Sequence, residues 1–247
     1  MSIATYSKFA RFKESIYSLP EHPVEEDLIH EDFLLERVEQ KKLEVYYAPF
    51  EHVNENAKVV IVGITPGLHQ MKKSFETVRN MRDETKEDNA ILKQVKNNSS
   101  FEGPMRKNLV NMLDELNVHH YLGLSSTIEL FGSASHLVQT TSILPYPVFR
   151  DGKNYSGATP QILKTPLLRS YALENFPTEL SKLSNPLIIP LGVNVSRVLS
   201  YLSDNGYISS CSVLTGFPHP SGANGNRVKQ FEEYKESMKK TIELYFR

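Results

Sequence analysis

The run Val59-Val60-Ile61-Val62, stopped at once by Gly63-Ile64-Thr65-Pro66-Gly67, constrains this chain more than any other stretch. Four β-branched residues in succession are too few for a helix core, and a Gly/Pro/Gly turn ends them. They predict a strand buried on both faces, as in a parallel sheet. The loop at the carboxyl end of such a strand is where open α/β sheets bind ligands, because helix N-termini and free backbone N–H groups collect there. Gly63 and Gly67 permit close backbone approach, and Pro66 stiffens the turn against which a flat ligand can rest. This loop is the first candidate active site.

The rest of the chain supplies the layers around that strand. Tyr6–Leu19 spaces Phe9, Phe12, Ile16 and Leu19 three and four residues apart, an amphipathic helix stopped by Pro20. Glu25–Gln40 reads as a second helix and Leu43–Tyr47 as a short strand, so residues 1–57 are expected to form an N-terminal helical extension. Leu68–Arg82 and Arg106–Leu116 read as helices, with Glu84–Asn98 a helix or a loop over the site. His136–Leu144, Leu187–Leu191 and a segment ending at Val213–Thr215 read as further strands, Arg150–Pro160 as a polar loop. Val195–Leu202 and a long stretch reaching Tyr245 read as helices. Strands alternating with helices predict a mostly parallel, four-stranded sheet covered on both faces, in one domain spanning 1–247.

Composition narrows the function classes. The chain has 247 residues, 40% of them hydrophobic, enough for one large domain with a sizeable core. No apolar run reaches the roughly 18 residues of a membrane span, and Lys8, Arg11, Lys13 and Glu14 interrupt any signal-peptide core, so a cytoplasmic protein without a membrane partner is expected. A single cysteine, Cys211, excludes an intramolecular disulfide and an all-cysteine iron–sulfur site, and is expected to be a small buried residue. The net charge of −1 excludes a global basic field. Basic residues nevertheless collect in Asn224–Lys240, at Arg227, Lys229, Lys235, Lys239 and Lys240, which suits either a phosphate-facing patch or a solvated helix face. The histidines, including His119-His120, show no metal-ligand spacing, and no metal or cofactor is expected.

Four loops are thus predicted at carboxyl ends of strands: Gly63–Gly67, Thr141-Ser142, Leu191-Gly192 and His219-Pro220-Ser221-Gly222. A Gly-x-x-Pro-Gly loop after the first core strand, then Phe101-Glu102-Gly103 before a helix, then His-Pro-Ser-Gly after the last strand, resembles the uracil-DNA glycosylase superfamily. The likeness runs from Lys58 to the C-terminus. It implies a three-layer α/β/α sandwich on a four-stranded parallel sheet, and hydrolysis of the bond between a base and its deoxyribose. It also implies a monomer acting on single- or double-stranded DNA.

Carried over position by position, the resemblance places Thr65 where the family holds the attacking water with Asp or Asn. A threonine hydroxyl cannot serve as a general base near neutral pH, so Thr65 orients the water or is a turn residue bonding local backbone. Gly63, Ile64, Pro66 and Gly67 would line the base, with Gly67 leaving open a space that relatives fill with an aromatic ring. Phe101 would stack on the extruded base. Ser142 stands where uracil-selective members present Asn, and it makes no bidentate contact, which disfavours plain uracil; Thr140, Thr141 and Tyr146 are alternative readers. His219 would stabilise charge on the departing base. Ser221, Gly222, Asn224 and Arg227 would grip phosphates, and the Ala223-Asn224 tip offers only a small wedge, suited to weakened pairs or single strands. The expected activity is a monofunctional DNA glycosylase for a damaged, deaminated or modified base, since no lysine stands in a motif. Its rival is a catalytically silent nucleic-acid or nucleotide-binding protein using the same pocket. A phosphate-handling enzyme lacks its glycine-rich Lys-Ser/Thr loop here.

Overall fold

The computed structural model describes residues 7–208 and 213–247, so Cys211 lies outside the described residues. The chain forms two compact units, one of residues 1–52, 65–100 and 145–155, the other of residues 53–64, 101–144 and 156–247.

The second unit carries a parallel sheet in the order Val138–Ser142, Val59–Gly63, Leu187–Pro190. Ile61 lies opposite Thr140 on one side and Ile189 on the other, and Gly63 lies opposite Ser142. Every residue of the central strand is buried, as its unbroken aliphatic run predicts. Leu109 and Leu113 of the helix Pro104–Glu115, and Met238 and Ile242 of the helix Arg227–Phe246, pack in one core with Val59, Ile61, Leu187 and Ile189. Each such aliphatic side chain contributes about 1.5–3 kcal/mol by leaving water, and truncating Ile61 to Ala would cost on the order of 2–5 kcal/mol.

The expected four-stranded parallel sheet is corrected to three strands among the described residues. Val213 makes a single parallel bridge to Ile188, and Leu214 N donates to Ile188 O at 2.8 Å. Thr215 N then turns back to Val213 O at 2.9 Å, and Gly216 takes φ +92°, carrying the chain off the sheet after one rung. Only glycine fits there, because a Cβ would come 2.5 Å from Cγ of Tyr234. A further helix, Pro166–Leu180, had no clear sequence signal because Pro177 lies inside it. It buries Leu168, Ala172, Phe176 and Leu180, one residue per turn.

The first unit departs further from expectation. It holds an antiparallel sheet in the order Leu34–Val38, Leu43–Tyr46, Val148–Arg150, Lys153–Asn154. The helix expected over Glu25–Gln40 is a helical turn at Glu25–Leu28, a 3₁₀ turn at Glu31–Phe33 and then a strand. Pairing of Leu34 with Tyr46 and of Val38 with Leu43 overrides the apolar stripe that suggested a helix. Arg37 reinforces the register by donating from Nε to Glu44 Oε1 at 2.8 Å across the strands. Within the loop expected at Arg150–Pro160, Asp151 (φ 53°) and Gly152 (φ 70°) form the tight turn of a short hairpin; Asp-Gly is the usual sequence for two successive positive φ angles. The helices Ser7–Tyr17, Leu68–Asn80 and Asp88–Ser99 complete the unit. Its aromatic core stacks Phe12 on Tyr47 at 4.3 Å and sets Phe33 against Phe75 at 4.7 Å. Among the described residues, no helix is long and apolar enough to cross a membrane.

Candidate active site

In the second unit the strand Val59–Gly63 delivers its last residue to the point where two other candidates converge. A Cβ on Gly63 would lie 3.3 Å from Cε1 of Phe101 and 3.3 Å from Oγ of Ser142, so glycine lets the backbone, the ring and the hydroxyl meet. Phe101 itself takes φ 53°, a conformation rare for a bulky residue and found at sites where surrounding structure imposes it. The turn continues through Gly103 at φ +84° into Pro104, the first residue of a helix. Beyond the strand, Ile143 N donates to Gly63 O and Leu144 N to Ile64 O, both at 2.9 Å, which holds the two loops side by side. Ile64 is backed by Gly157, where a Cβ would come 2.8 Å from Cδ1 of Ile64. Gly157, in the segment read as a polar loop, carries no motif that would have marked it.

Of the alternative readers, Thr141 is committed elsewhere. Its Oγ1 donates to Glu179 Oε2 at 2.8 Å, while Gln139 donates to the other oxygen of the same carboxylate. Ser142 is thus the hydroxyl that borders Gly63 and Phe101.

His219 stands at the same end of the parallel strands. Gly192, which follows the strand Leu187–Pro190, has φ +91°, and a Cβ there would lie 3.0 Å from Cβ of His219. The imidazole Nδ1 accepts a hydrogen bond from Ser221 N at 3.2 Å, which assigns the proton of the neutral ring to Nε2. Burial holds its pKa below the ordinary histidine value, so at neutral pH the ring is an uncharged N–H donor. The loop around it is fastened at three carbonyls. Asn224 Nδ2 donates to His219 O at 3.2 Å, Asn108 Nδ2 to Pro220 O at 2.9 Å, and Arg227 Nη1 to Ser221 O at 2.9 Å. Asn224 and Arg227, predicted as phosphate ligands, therefore also brace the histidine loop, and Asn108 is a bracing residue that sequence reasoning did not identify. Ser221 Oγ accepts from Ala223 N at 3.2 Å, and no atom would crowd a Cβ on Gly222.

The rest of the first motif lies in the first unit. Thr65 Oγ1 donates to Tyr146 O at 2.7 Å and accepts from Val148 N at 3.1 Å, so its single proton is spent on the backbone of the neighbouring loop. Pro66 leads to Gly67, the N-cap of the helix Leu68–Asn80, whose N–H donates to Gln70 Oε1 at 3.2 Å. The space left by the missing side chain of Gly67 is bordered by Asn154, whose Oδ1 would lie 3.5 Å from a Cβ and accepts from Leu68 N at 2.8 Å. Asn154 lies in the hairpin that the sequence reading treated as loop. Among the described residues, no group of three or more His, Cys, Asp or Glu side chains is placed to hold a metal ion.

The two units define a mixed α/β protein in which a parallel sheet ends at a glycine, an aromatic ring, a hydroxyl and a neutral imidazole donor. The chain belongs to the family of the uncharacterized protein YoxB of Bacillus subtilis (strain 168), with 38% identity over 247 residues that cover 98% of this chain and 95% of the relative. No protein-family model matches the chain. Among solved structures, the wild-type SMUG2 protein of Pedobacter heparinus covers 93% of this chain with 97% of its own length, at a TM-score of 0.46 and 11% identity, a likeness too distant to assign a function.

Proposed function

We propose that this protein is a monofunctional DNA glycosylase that hydrolyses the N-glycosidic bond of a flipped damaged, deaminated or modified base and leaves an abasic site. The observation that carries this reading is His219, held neutral with its proton on Nε2 at the sheet end where Gly63, Phe101 and Ser142 meet. N-glycosidic cleavage builds positive charge on the sugar and sends the bonding electron pair to the base. An uncharged N–H donor fixed toward a base carbonyl matches that developing charge, and a donor of this kind is worth roughly 2.7–4 kcal/mol in a barrier. Phe101 stacks on the base, which contributes about 1–3 kcal/mol without choosing among bases. Ser142 offers one hydroxyl in place of a bidentate amide, which favours substrates other than plain uracil. Ile64, Pro66 and Gly67 shape the base site, and Thr65 braces the loop from which backbone groups position the water. Ser221, Gly222, Asn224 and Arg227 meet the DNA backbone at the start of the last helix, and the enzyme works as a cytoplasmic monomer without a cofactor.

One observation favours a second reading, a silent reader of modified bases: the Thr65 hydroxyl is already engaged by Tyr146 and Val148. The two are separated by incubating the protein, with chelator present, with single- and double-stranded oligonucleotides carrying uracil, hypoxanthine, xanthine, mismatched thymine or substituted cytosines. Alkali then cleaves any abasic sites. Strand breaks that disappear in His219→Ala establish the glycosylase, whereas selective binding with no breaks establishes the silent reader.

A further inference from the structure

At the end of the parallel sheet opposite His219, a groove of about 720 Å³ opens, within the size range of ligand sites and contained entirely in the second unit. Lys58, Leu137 and Asn185, which stand just before the three strands, form its floor. The short helical turn Val118–Tyr121 and the last residues of the helix Arg227–Phe246 contribute its walls. We infer that this groove binds a single strand of nucleic acid, with a base stacked on Tyr121 and a phosphate paired with Lys58. The inference stands apart from the glycosylase reading, because no residue of the groove belongs to the candidate active site.

The aromatic side of the groove is rigid and open at once. Tyr121 stacks on Phe246 with ring centroids 5.2 Å apart and planes at 12°, and Phe246 meets Tyr245 edge to face at 4.7 Å. Tyr245 anchors the cluster across two strand starts: its Oη donates to Asn185 O at 2.9 Å, with Lys58 O 3.3 Å away. Tyr121 nonetheless stays 38% exposed. A ring held by its neighbours and left open to solvent is a platform on which any base can stack.

Charge selects the kind of ligand. Lys58 is exposed, and its ammonium has no ion-pair or hydrogen-bond partner among the described residues. Among the described residues no acidic side chain lines the groove, and its other cation, Arg247, is held by Glu243. Ser184 and Asn185 add a hydroxyl and an amide that can meet a sugar or a base edge. An apolar segment of a protein seated here would bury the Lys58 ammonium without a counter-charge, which is costly. A polyanion carrying flat bases satisfies the ammonium and the ring together.

The test is fluorescence anisotropy of the full chain with a labelled oligonucleotide of about 15 ordinary thymidines, a length near the upper end of a single-strand site, over a salt series. Tyr121→Ala should weaken binding about 5-fold or more without changing the salt dependence, and Tyr121→Phe should bind as wild type. Lys58→Ala should weaken it about 3-fold or more and flatten the slope of log Kd against log salt by about 0.7, which Lys58→Arg restores. Both side chains are exposed, so neither variant removes a core contact. Binding of both alanine variants within 2-fold of wild type, an unchanged slope in Lys58→Ala, or no binding by wild type overturns the proposal. Thymidine monophosphate bound as tightly as the strand would give the groove to a free nucleotide, and a dimer that Tyr121→Ala dissociates would give it to a second copy; either also overturns it. A wild-type protein that binds the strand through Tyr121 and Lys58 yet cleaves no member of the oligonucleotide panel ends the glycosylase reading alone.

Discussion

His219 in the second unit and Glu51 in the first are both pushed by burial toward their uncharged forms, in opposite directions on the pH scale. They differ in how their surroundings are satisfied. The His219 loop has its ring nitrogen, its own carbonyl and the next two carbonyls all hydrogen-bonded. Glu51 lies beside Tyr47 and the backbone of Phe9, whose hydrogen bonds to its carboxyl do not offset the loss of water around it. The first arrangement fixes a donor in a single orientation. The second holds a carboxyl whose charged form is costly, which ties the stability of the first unit to pH.

The sharpest way to break the comparison is His219→Ala, which should reduce base release by about 100- to 1000-fold in single-turnover assays and, by removing a partly buried ring and the acceptor of Ser221 N, cost about 1–3 kcal/mol in stability. Next comes the pH dependence of stability. Glu51, whose carboxyl is raised in the folded state, stabilises fully at low pH, and that contribution is lost as pH rises from the ordinary carboxyl value of 4.5 through about 7. His52, lowered to about 4, and His219, also lowered, act in the reverse sense, so stability is lost as pH falls below the ordinary histidine value of 6.5. Urea unfolding should therefore show a maximum near neutrality. Glu51→Gln should remove the alkaline decline, a gain on the order of 2–3 kcal/mol at pH 8.5 and little gain at pH 5. An equal gain at both values would mean that ionisation of Glu51 is not the cause.

A smaller effect is expected from Gly192→Ala. The residue sits at φ 91°, ψ 172°, a region essentially reserved for glycine, and its new methyl would press on Cβ of His219. A loss of roughly 1–3 kcal/mol in stability, accompanied by a reduced cleavage rate, would show that the loop is held in place by packing as well as by hydrogen bonds. Smallest is Asn108→Ala, which removes one bond to the Pro220 carbonyl and should cost about 1 kcal/mol in urea unfolding.

What was legible in the sequence was what local chemistry decides. Val59–Val62 declares a doubly buried strand without reference to any partner, and Gly63, expected to open the loop, is the last residue of that strand and meets Phe101 and Ser142 there. The strand Leu34–Val38 was misread as helix because its pairing with Leu43–Tyr46 is a cross-strand fact, absent from its own periodicity. The Val148–Asn154 hairpin does carry a local signal, Asp151-Gly152, set within polar residues that otherwise suit a loop. The burial of Glu51 has no signal in the sequence. A single glutamate has no motif, and its chemistry arises from burial beside Tyr47 and Tyr146, which is decided by tertiary packing.

The central claim is tested most directly by analysing the products of a single turnover on the best substrate of the panel, with chelator present. The account predicts the free intact base and an unbroken strand carrying an abasic site, with neither formed by His219→Ala. Release of a nucleotide, strand cleavage before alkali, or full activity in His219→Ala would contradict it.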